Sequence, residues 1–254
     1  MITGPLGEFT LIVPYYDQPD MLTKQIAEWN CYPPGISVIL VDDGSPTPAA
    51  PIALEHASVD LLKRLRVLRI NVDIPWNRGG ARNLGATACK TRWMVHVDID
   101  HVLPFEVTEK LLDTQIDPAR WYRFNRHRMG QADATRRKDK IDPYADYGAI
   151  HPHIDSYAIA RDLYWRVGGY DEDYSGCLGG GTPFLRRLED LAKTPLIFQD
   201  EIHLIVFTRS VVADASVLTL DRSTEEFSRR RRQKEALGDT IPRNPLRFTW
   251  QRVL

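Results

Sequence analysis

The chain has 254 residues, 43% of them hydrophobic and 26% charged, with 33 basic against 34 acidic side chains. This is enough for one large α/β domain or a domain with a tail, and the formal net charge of −1 singles out no class of partner. Cys31, Cys89 and Cys177 are far apart and lack a Cys-x-x-Cys spacing, which argues against a disulfide framework or a zinc site and for a reducing compartment. No apolar run approaches the ~20 residues that cross a bilayer. The start, MITGPLGEF, lacks a basic region and an apolar core, so no signal peptide is expected and a cytoplasmic location is.

In chain order, Phe9 to Val13 reads as a short buried strand stopped by Pro14. Asp17 or Gln18 then caps a helix with Pro19 at its first position, and Met21, Leu22, Ile26 and Trp29 share one face of it. Pro33-Pro34-Gly35 break the chain before a second strand, Ile36 to Val41, which ends in Asp42-Asp43-Gly44-Ser45. A helical stretch around Ile52 to Arg64 leads to a third strand, Arg66 to Ile70. The turn-rich NVDIPWN and Arg78-Gly79-Gly80 precede a helix over Ala81 to Lys90. The fourth strand, Met94 to Asp100 (MVHVDID), puts His96, Asp98 and Asp100 on one side by strand alternation. Two carboxylates so placed need a counter-charge, and oxygen ligands suit Mn2+ or Mg2+.

Strand and helix alternating, with nearly continuous apolar strands, predict a mostly parallel central sheet with helices on both faces. Ligands bind such sheets outside the carboxyl ends of the strands. Three polar clusters fall at those ends: Pro14-Tyr15-Tyr16-Asp17, Asp42-Asp43-Gly44-Ser45 and Asp98-Ile99-Asp100. Acidic loops beside a turn bearing glycine and arginine suit a ligand with sugar hydroxyls and phosphates. Carboxylates accept from ribose or base, a helix N-terminus faces the anion, and Arg78 and Arg82 can pair with phosphate or with Asp98.

The second half is less regular. Strands are expected over Trp121 to Asn125, Ser156 to Ala160 and Ile202 to Phe207, with a helix from Pro183 to about Lys193 capped by Thr182. The chain after Asp221 is charged and carries Arg229 to Arg232.

LIVPYYDQPDML, VILVDDGSP, NRGGARNLGA and VDID, in this order and spacing, resemble the nucleotide-sugar domain of GT-A fold glycosyltransferases, particularly the inverting family 2. The likeness is close over Phe9 to Leu103 and looser to about Leu191. It implies a GT-A domain over 1–220, divided into a nucleotide-sugar-binding half (1–103) and an acceptor half (104–220), with 221–254 a basic C-terminal extension. It further implies that Pro14, Tyr15 and Asp17 border the nucleobase, that Asp42 or Asp43 binds it, and that Arg78, Arg82 and Asn83 line the donor site. Asp98 would contact ribose or metal, Asp100 would bind the metal, and His203 would be a third ligand. The implied reaction moves a sugar from a nucleoside diphosphate, a UDP-sugar first, to an acceptor hydroxyl with inversion.

The pattern departs from the family after Val167-Gly168-Gly169-Tyr170-Asp171-Glu172. An acidic pair that supplies the catalytic base is expected at the start of the next helix, where Gly181 and Thr182 stand. Asp173, Asp171 and Glu172 are the nearest substitutes, and Asp155 a more distant one. His151 and His153 flank Pro152 near Asp155 and could contact the acceptor; His96 reads as a buried, hydrogen-bonded core residue. Basic residues mixed with aromatics (Arg120 to Arg128, then Arg136, Arg137, Lys138 and Lys140), together with Arg229 to Arg232, fit a solvated face, a polyanionic acceptor such as nucleic acid or an anionic glycan, or peripheral attachment to anionic lipid. A donor-binding module without turnover is the competing function. A sugar nucleotidyltransferase is disfavoured, since Pro14-Tyr15-Tyr16 is not the glycine-rich basic loop it needs.

Overall fold

The computed structural model describes residues 4–128, 149–206, 224–238 and 245–254. Arg136, Arg137, Lys138 and Lys140 lie outside the described residues.

Strand β1 (Gly4–Pro5) pairs with β7 (Gln115–Ile116) apart from the main sheet. The apolar run at Phe9 forms β2 (Phe9–Tyr15), two residues longer than expected, because Pro14 is accommodated near the strand end. Helix α1 (Pro19–Trp29) starts at Pro19 and buries Met21, Leu22, Gln25, Ile26 and Trp29. Gln18 is its N-cap, without a side-chain capping bond. Strand β3 (Ile36–Asp42) follows. The next helical stretch is two pieces, α2 (Ala49–His56) and α3 (Val59–Leu62), because Ser58 caps the second by accepting from Leu61 N. Then come β4 (Leu65–Ile70), α4 (Arg78–Ala88) and β5 (Trp93–His96).

The main sheet has eight strands in the order β12 (Leu196–Ile197), β8 (Trp121–Arg123), β11 (Tyr157–Ala160), β5, β2, β3, β4 and β14 (Trp250–Arg252). Neighbours β5, β2, β3 and β4 are all parallel. The chain steps from β2 to β3 to β4 in one direction and then returns past β2 to β5. Right-handed crossovers therefore place α1 to α3 on one face and α4 on the other. The reversal makes a switch point between β2 and β5, where the carboxyl ends open a crevice for ligand. Helix α4 reaches the sheet so closely that a β-carbon on Gly85 would lie 2.4 Å from Ile12 Cγ2.

The second half widens the sheet. β8 (Trp121–Arg123) and β11 (Tyr157–Ala160) extend it from β5 in antiparallel steps, and β12 (Leu196–Ile197) forms that edge. A smaller sheet, ordered β10-β9-β13-β6, comprises β6 (His101–Val102), β9 (Asn125–Arg128), β10 (Ala149–Ile150) and β13 (His203–Val206). Helices α5 (Phe105–Asp113), α6 (Arg161–Arg166) and α7 (Thr182–Ala192) complete this half. Gly181, not Thr182, is the N-cap of α7, with no side-chain capping bond. After residue 220 the chain is joined to the fold twice. Helix α8 (Glu225–Ala236) packs near the 172–174 turn, and β14 (Trp250–Arg252) pairs with β4. No helix of the described residues is long and apolar enough to cross a membrane.

Candidate active site

The β2–β3 end of the crevice is built first. In register, Tyr15 lies beside Asp42, and Asp43 N donates to the Tyr15 carbonyl at 2.9 Å. Asp17 occupies the left-handed region (φ 45°), which a short polar side chain tolerates better than most. Its N–H donates to Ser45 Oγ and its Oδ1 accepts from Thr47 Oγ1 at 2.7 Å. Tyr15 is buried with its hydroxyl on the Thr47 carbonyl, and burial pushes the phenol up to about 12. It therefore fixes the Thr47 turn with a neutral hydroxyl.

Asp42 and Asp43 are not equivalent. Asp42 accepts from Ser45 N, Ala49 N and the Arg69 guanidinium, which ties β3 to the start of α2 and to β4. Asp43 has one side-chain partner, Asn77 Nδ2 at 3.0 Å. Its carboxyl is 5% exposed, and burial raises it to about 7, the Asn77 bond opposing the rise and the Asp42 charge adding to it. Among the described residues, Asp43 is therefore the less committed acceptor of the two.

At the β5 end, Arg78 and Arg82 project from successive turns of α4. Arg82 is 1% exposed and binds the Asp98 carboxylate and the Asp155 carbonyl. Burial alone would lower the Arg82 pKa, but Asp98 and Asp155 overcome it and raise it. Burial would likewise raise Asp98; Arg82 chiefly, with His153 and Arg78, holds it below the usual carboxylate range. Arg78 Nη1 lies 3.2 Å from Asp155 Oδ2 and 4.0 Å from Asp98 Oδ2, and its guanidinium stacks over Trp76. Asn83 sits on the far side of the same helix. Its Nδ2 donates to Tyr170 O and Glu172 Oε1, and its Oδ1 accepts from Tyr164 Oη and Tyr170 N. All of its hydrogen-bonding capacity goes to the protein, so it anchors the 164–172 turn and offers a ligand nothing.

The strand expected to run to Asp100 ends at His96, so alternation stops there. His96 is fully buried between Tyr157 and Tyr164, at ring distances of 5.0 and 5.4 Å, and burial holds it neutral. Neither ring nitrogen has a hydrogen-bond partner among the described residues, contrary to expectation. Beyond it the chain turns at Ile99-Asp100, and Gln25 Nε2 pins the turn by donating to the carbonyls of Ile99 (2.9 Å) and His101 (3.0 Å). The turn brings His101 back beside Asp98. His153 joins them from the loop before β11, with Nδ1 3.4 Å from Asp98 Oδ2.

Among the described residues, one group of three potential ligands converges: Asp98, His101 and His153, with ligand atoms within 4.8 Å of one another. Asp100 and His203 fall outside it. His203 stands three residues before Val206, the register partner of His101, a strand distance of roughly 10 Å. Its Nδ1 is 3.1 Å from the Asp200 carbonyl oxygen, and its ring packs on His127. The converging set fits a divalent ion. A carboxylate and two imidazoles suit Mn2+, and His101 Nδ1, 2.8 Å from Ser156 Oγ, has the outer partner that orients a ligand histidine. Its Nε2 accepts from Arg126 Nη1 at 3.1 Å, a bond that an ion on that nitrogen would have to replace, and burial lowers the ring's pKa to about 4 against the pull of Asp100 and Asp98, keeping it neutral.

The three acids proposed as base are held by the C-terminal segment. Lys234 of α8 reaches Asp171 Oδ2 (2.7 Å) and Asp173 Oδ2 (2.6 Å), and Arg247 pairs with Asp173. Glu172 accepts from Asn83 and from the backbone N–H groups of Leu246 and Arg247. Arg230 donates to the carbonyls of Asp173 and Ser175, Arg229 and Arg230 share Glu226, and Arg231 lies 3.6 Å from Glu235. Arg230, Lys234 and Arg247 therefore clasp the acidic turn, while Arg229 and Arg231 pair with glutamates along α8. A narrow cleft remains between α4 and the turn, lined by Trp76, Arg78, Arg82, Asp155, Tyr170 and Gly181 among others.

An α/β sheet with this crevice is the GT-A glycosyltransferase fold, and solved structures of that class superpose on it. One is the mannosyltransferase PcManGT from Pyrobaculum calidifontis in complex with GDP-Man and Mn2+ (TM-score 0.57, 16% identity, 84% of this chain and 61% of that one). A second is S. aureus TarS 1-349 in complex with UDP-GlcNAc (TM-score 0.62, 14% identity, 87% and 64%). A third is GalNAc-T7 with UDP, GalNAc and Mn2+ (TM-score 0.58, 13% identity, 81% and 45%). The chain thus spans less than two-thirds of the length of each. Comparison with curated protein sequences finds no match. The model of glycosyl transferase family 2 matches residues 10–176, and the chain belongs to that family.

Proposed function

We propose that the protein transfers a sugar from a nucleoside diphosphate sugar, a UDP-sugar in the first instance, to an acceptor hydroxyl, with Mn2+ or Mg2+ bound and with inversion at the anomeric carbon. The observation that carries this reading is the meeting of Asp98, His101 and His153 with Arg78 and Arg82 at the carboxyl edge of the sheet. Two of the three similar structures contain uridine nucleotides and two contain Mn2+, which supports that choice of donor and ion.

In this reading Asp43 accepts the base N–H, while Asp17 and Tyr15 hold the wall beside it. Arg78 turns from Asp155 to the diphosphate, and the first-turn N–H groups of α4 face the same anion. Arg82 stays buried and keeps Asp98 ionised and fixed in direction. A divalent ion on Asp98, His101 and His153 would neutralise charge developing on the departing diphosphate.

The test is a panel of UDP- and GDP-sugars scored by calorimetry and by release of nucleoside diphosphate, with and without Mn2+. Metal-dependent release by the wild type and its loss in His101→Ala/His153→Ala support the reading. Absence of nucleotide-sugar binding with or without Mn2+ sinks it, and binding without release would make the protein a donor-binding module.

A further inference from the structure

Four carboxylates besides Asp98 border the cleft or its wall, and three of them are bound to the C-terminal clasp. Asp171 and Asp173 are on Lys234, and both oxygens of Glu172 receive N–H groups from Asn83, Leu246 and Arg247. Asp155 differs. It lines the cleft itself, and its partners there are Tyr170 Oη, 3.3 Å from Oδ1, and Arg78 Nη1, 3.2 Å from Oδ2. The backbone sets its position firmly. Its N–H donates to His153 Nδ1 at 3.3 Å and its carbonyl accepts from Arg82, so one short loop places both His153 and Asp155.

Position 181 faces the same carboxylate. A β-carbon built there would sit 3.4 Å from Asp155 Oδ1 and 3.5 Å from Tyr170 Cε1. A side chain at this position would begin in van der Waals contact with the Asp155 oxygen and take up space beside it. Asp155 as a whole is 3% exposed, and glycine at 181 keeps a side chain off the cleft side of that oxygen. On the other side, Arg78 is the partner a donor diphosphate would draw away, since a phosphate offers a guanidinium more charge and a bidentate geometry.

Resting on the glycosyl-transfer reading above, we propose that Asp155 is the general base, and that Gly181 is the opening through which the acceptor hydroxyl reaches it. The acceptor O–H bond breaks and its proton passes to the Asp155 carboxylate. The acceptor oxygen forms a bond to the anomeric carbon, whose bond to the phosphate oxygen breaks, and that electron pair leaves with the nucleoside diphosphate. Diphosphate binding to Arg78 frees Asp155 for this task, so donor occupancy precedes proton removal.

The experiment uses the full chain, the UDP- or GDP-sugar that the wild type turns over, and water as acceptor. It compares Asp155→Asn, Asp155→Ala and Asp155→Ala/Gly181→Asp, with thermal melting and donor calorimetry showing that each folds and binds. The expected result is a fall in kcat of about 100-fold or more for the two single variants with donor Kd little changed. At least a tenfold recovery is expected when position 181 carries the carboxylate instead, which a structural role for Asp155 would not give. Near-wild-type kcat in Asp155→Asn overturns the proposal, as does a folded, donor-binding double variant no faster than Asp155→Ala. A wild type that binds donor but releases nothing overturns it too, whereas a wild type that binds no donor removes the functional reading beneath it.

Discussion

Asp43→Asn isolates the electrostatic penalty built into the β2–β3 end of the crevice. The carboxyl is 5% exposed and meets one side-chain donor, and its pKa rises from 3.8 to about 7. A group whose folded-state pKa is raised favours folding fully below its unfolded value, and the benefit fades as pH climbs through the folded value. Here the window runs from about pH 4 to about pH 7, and the ionised carboxylate at pH 8 carries a penalty of roughly 4 kcal/mol. An amide keeps an oxygen for Asn77 and carries no charge. Urea denaturation of the two proteins at half-unit steps from pH 4.5 to 8.5 should therefore give a stability difference that is small in acid and grows in favour of Asp43→Asn up to pH 8. The same variant should bind UDP-sugars at least tenfold more weakly, because a base N–H favours the carboxylate. Parallel stability curves across the range would refute the reasoning, as would undiminished donor affinity.

Other perturbations test other parts of the frame. Gly85→Ala should destabilise the protein by roughly 1–3 kcal/mol, seen as a lower urea midpoint, because its methyl would lie 2.4 Å from Ile12 Cγ2 in a packed core. Lys234→Met should cost about 3 kcal/mol by leaving the buried Asp171 without its cation, and should speed hydrogen exchange in residues 245–254. Adding Asp171→Asn to that variant should recover part of the loss. Gln25→Leu should loosen the turn between Asp98 and His101 and weaken Mn2+ binding about 10- to 100-fold in a calorimetric titration, although the side chain touches no ligand atom.

The parallel half of the fold was legible because it is written in local, periodic terms. The runs at Phe9, Ile36 and Trp93 are mostly apolar on both faces, as strands covered on both sides must be, and the helices between them carry their stripes where α1 and α4 bury them. Boundaries moved where a single residue decided them: Ser58 split one helix in two, and Gly181 displaced Thr182 as a cap. The clasp could not be read in the same way. Lys234 meets Asp171, and Leu246 meets Glu172, across more than 60 residues of chain with no shared period between them.

The proposed metal ligands show the same limit at shorter range. Alternation carried past His96 groups Asp98 with Asp100 and sets His101 on the opposite face, and within a strand that inference is sound. It fails because Gln25, from a helix 74 residues earlier in the chain, holds the Ile99 carbonyl and converts the strand end into a turn. His101 then arrives beside Asp98 through tertiary packing, and His153 reaches them from a loop whose Pro152 and Asp155 give no hint of direction. Asp42 and Asp43 follow the same logic in reverse: identical neighbours in sequence, they are separated by Arg69 and the start of α2, which claim one carboxylate and leave the other for a ligand. Residue type and spacing located the crevice, but which side chains face it was decided by partners supplied from elsewhere in the chain. Measured Mn2+ affinity in Asp100→Asn, expected to exceed that in His153→Ala, would show which of the two groupings the folded protein uses.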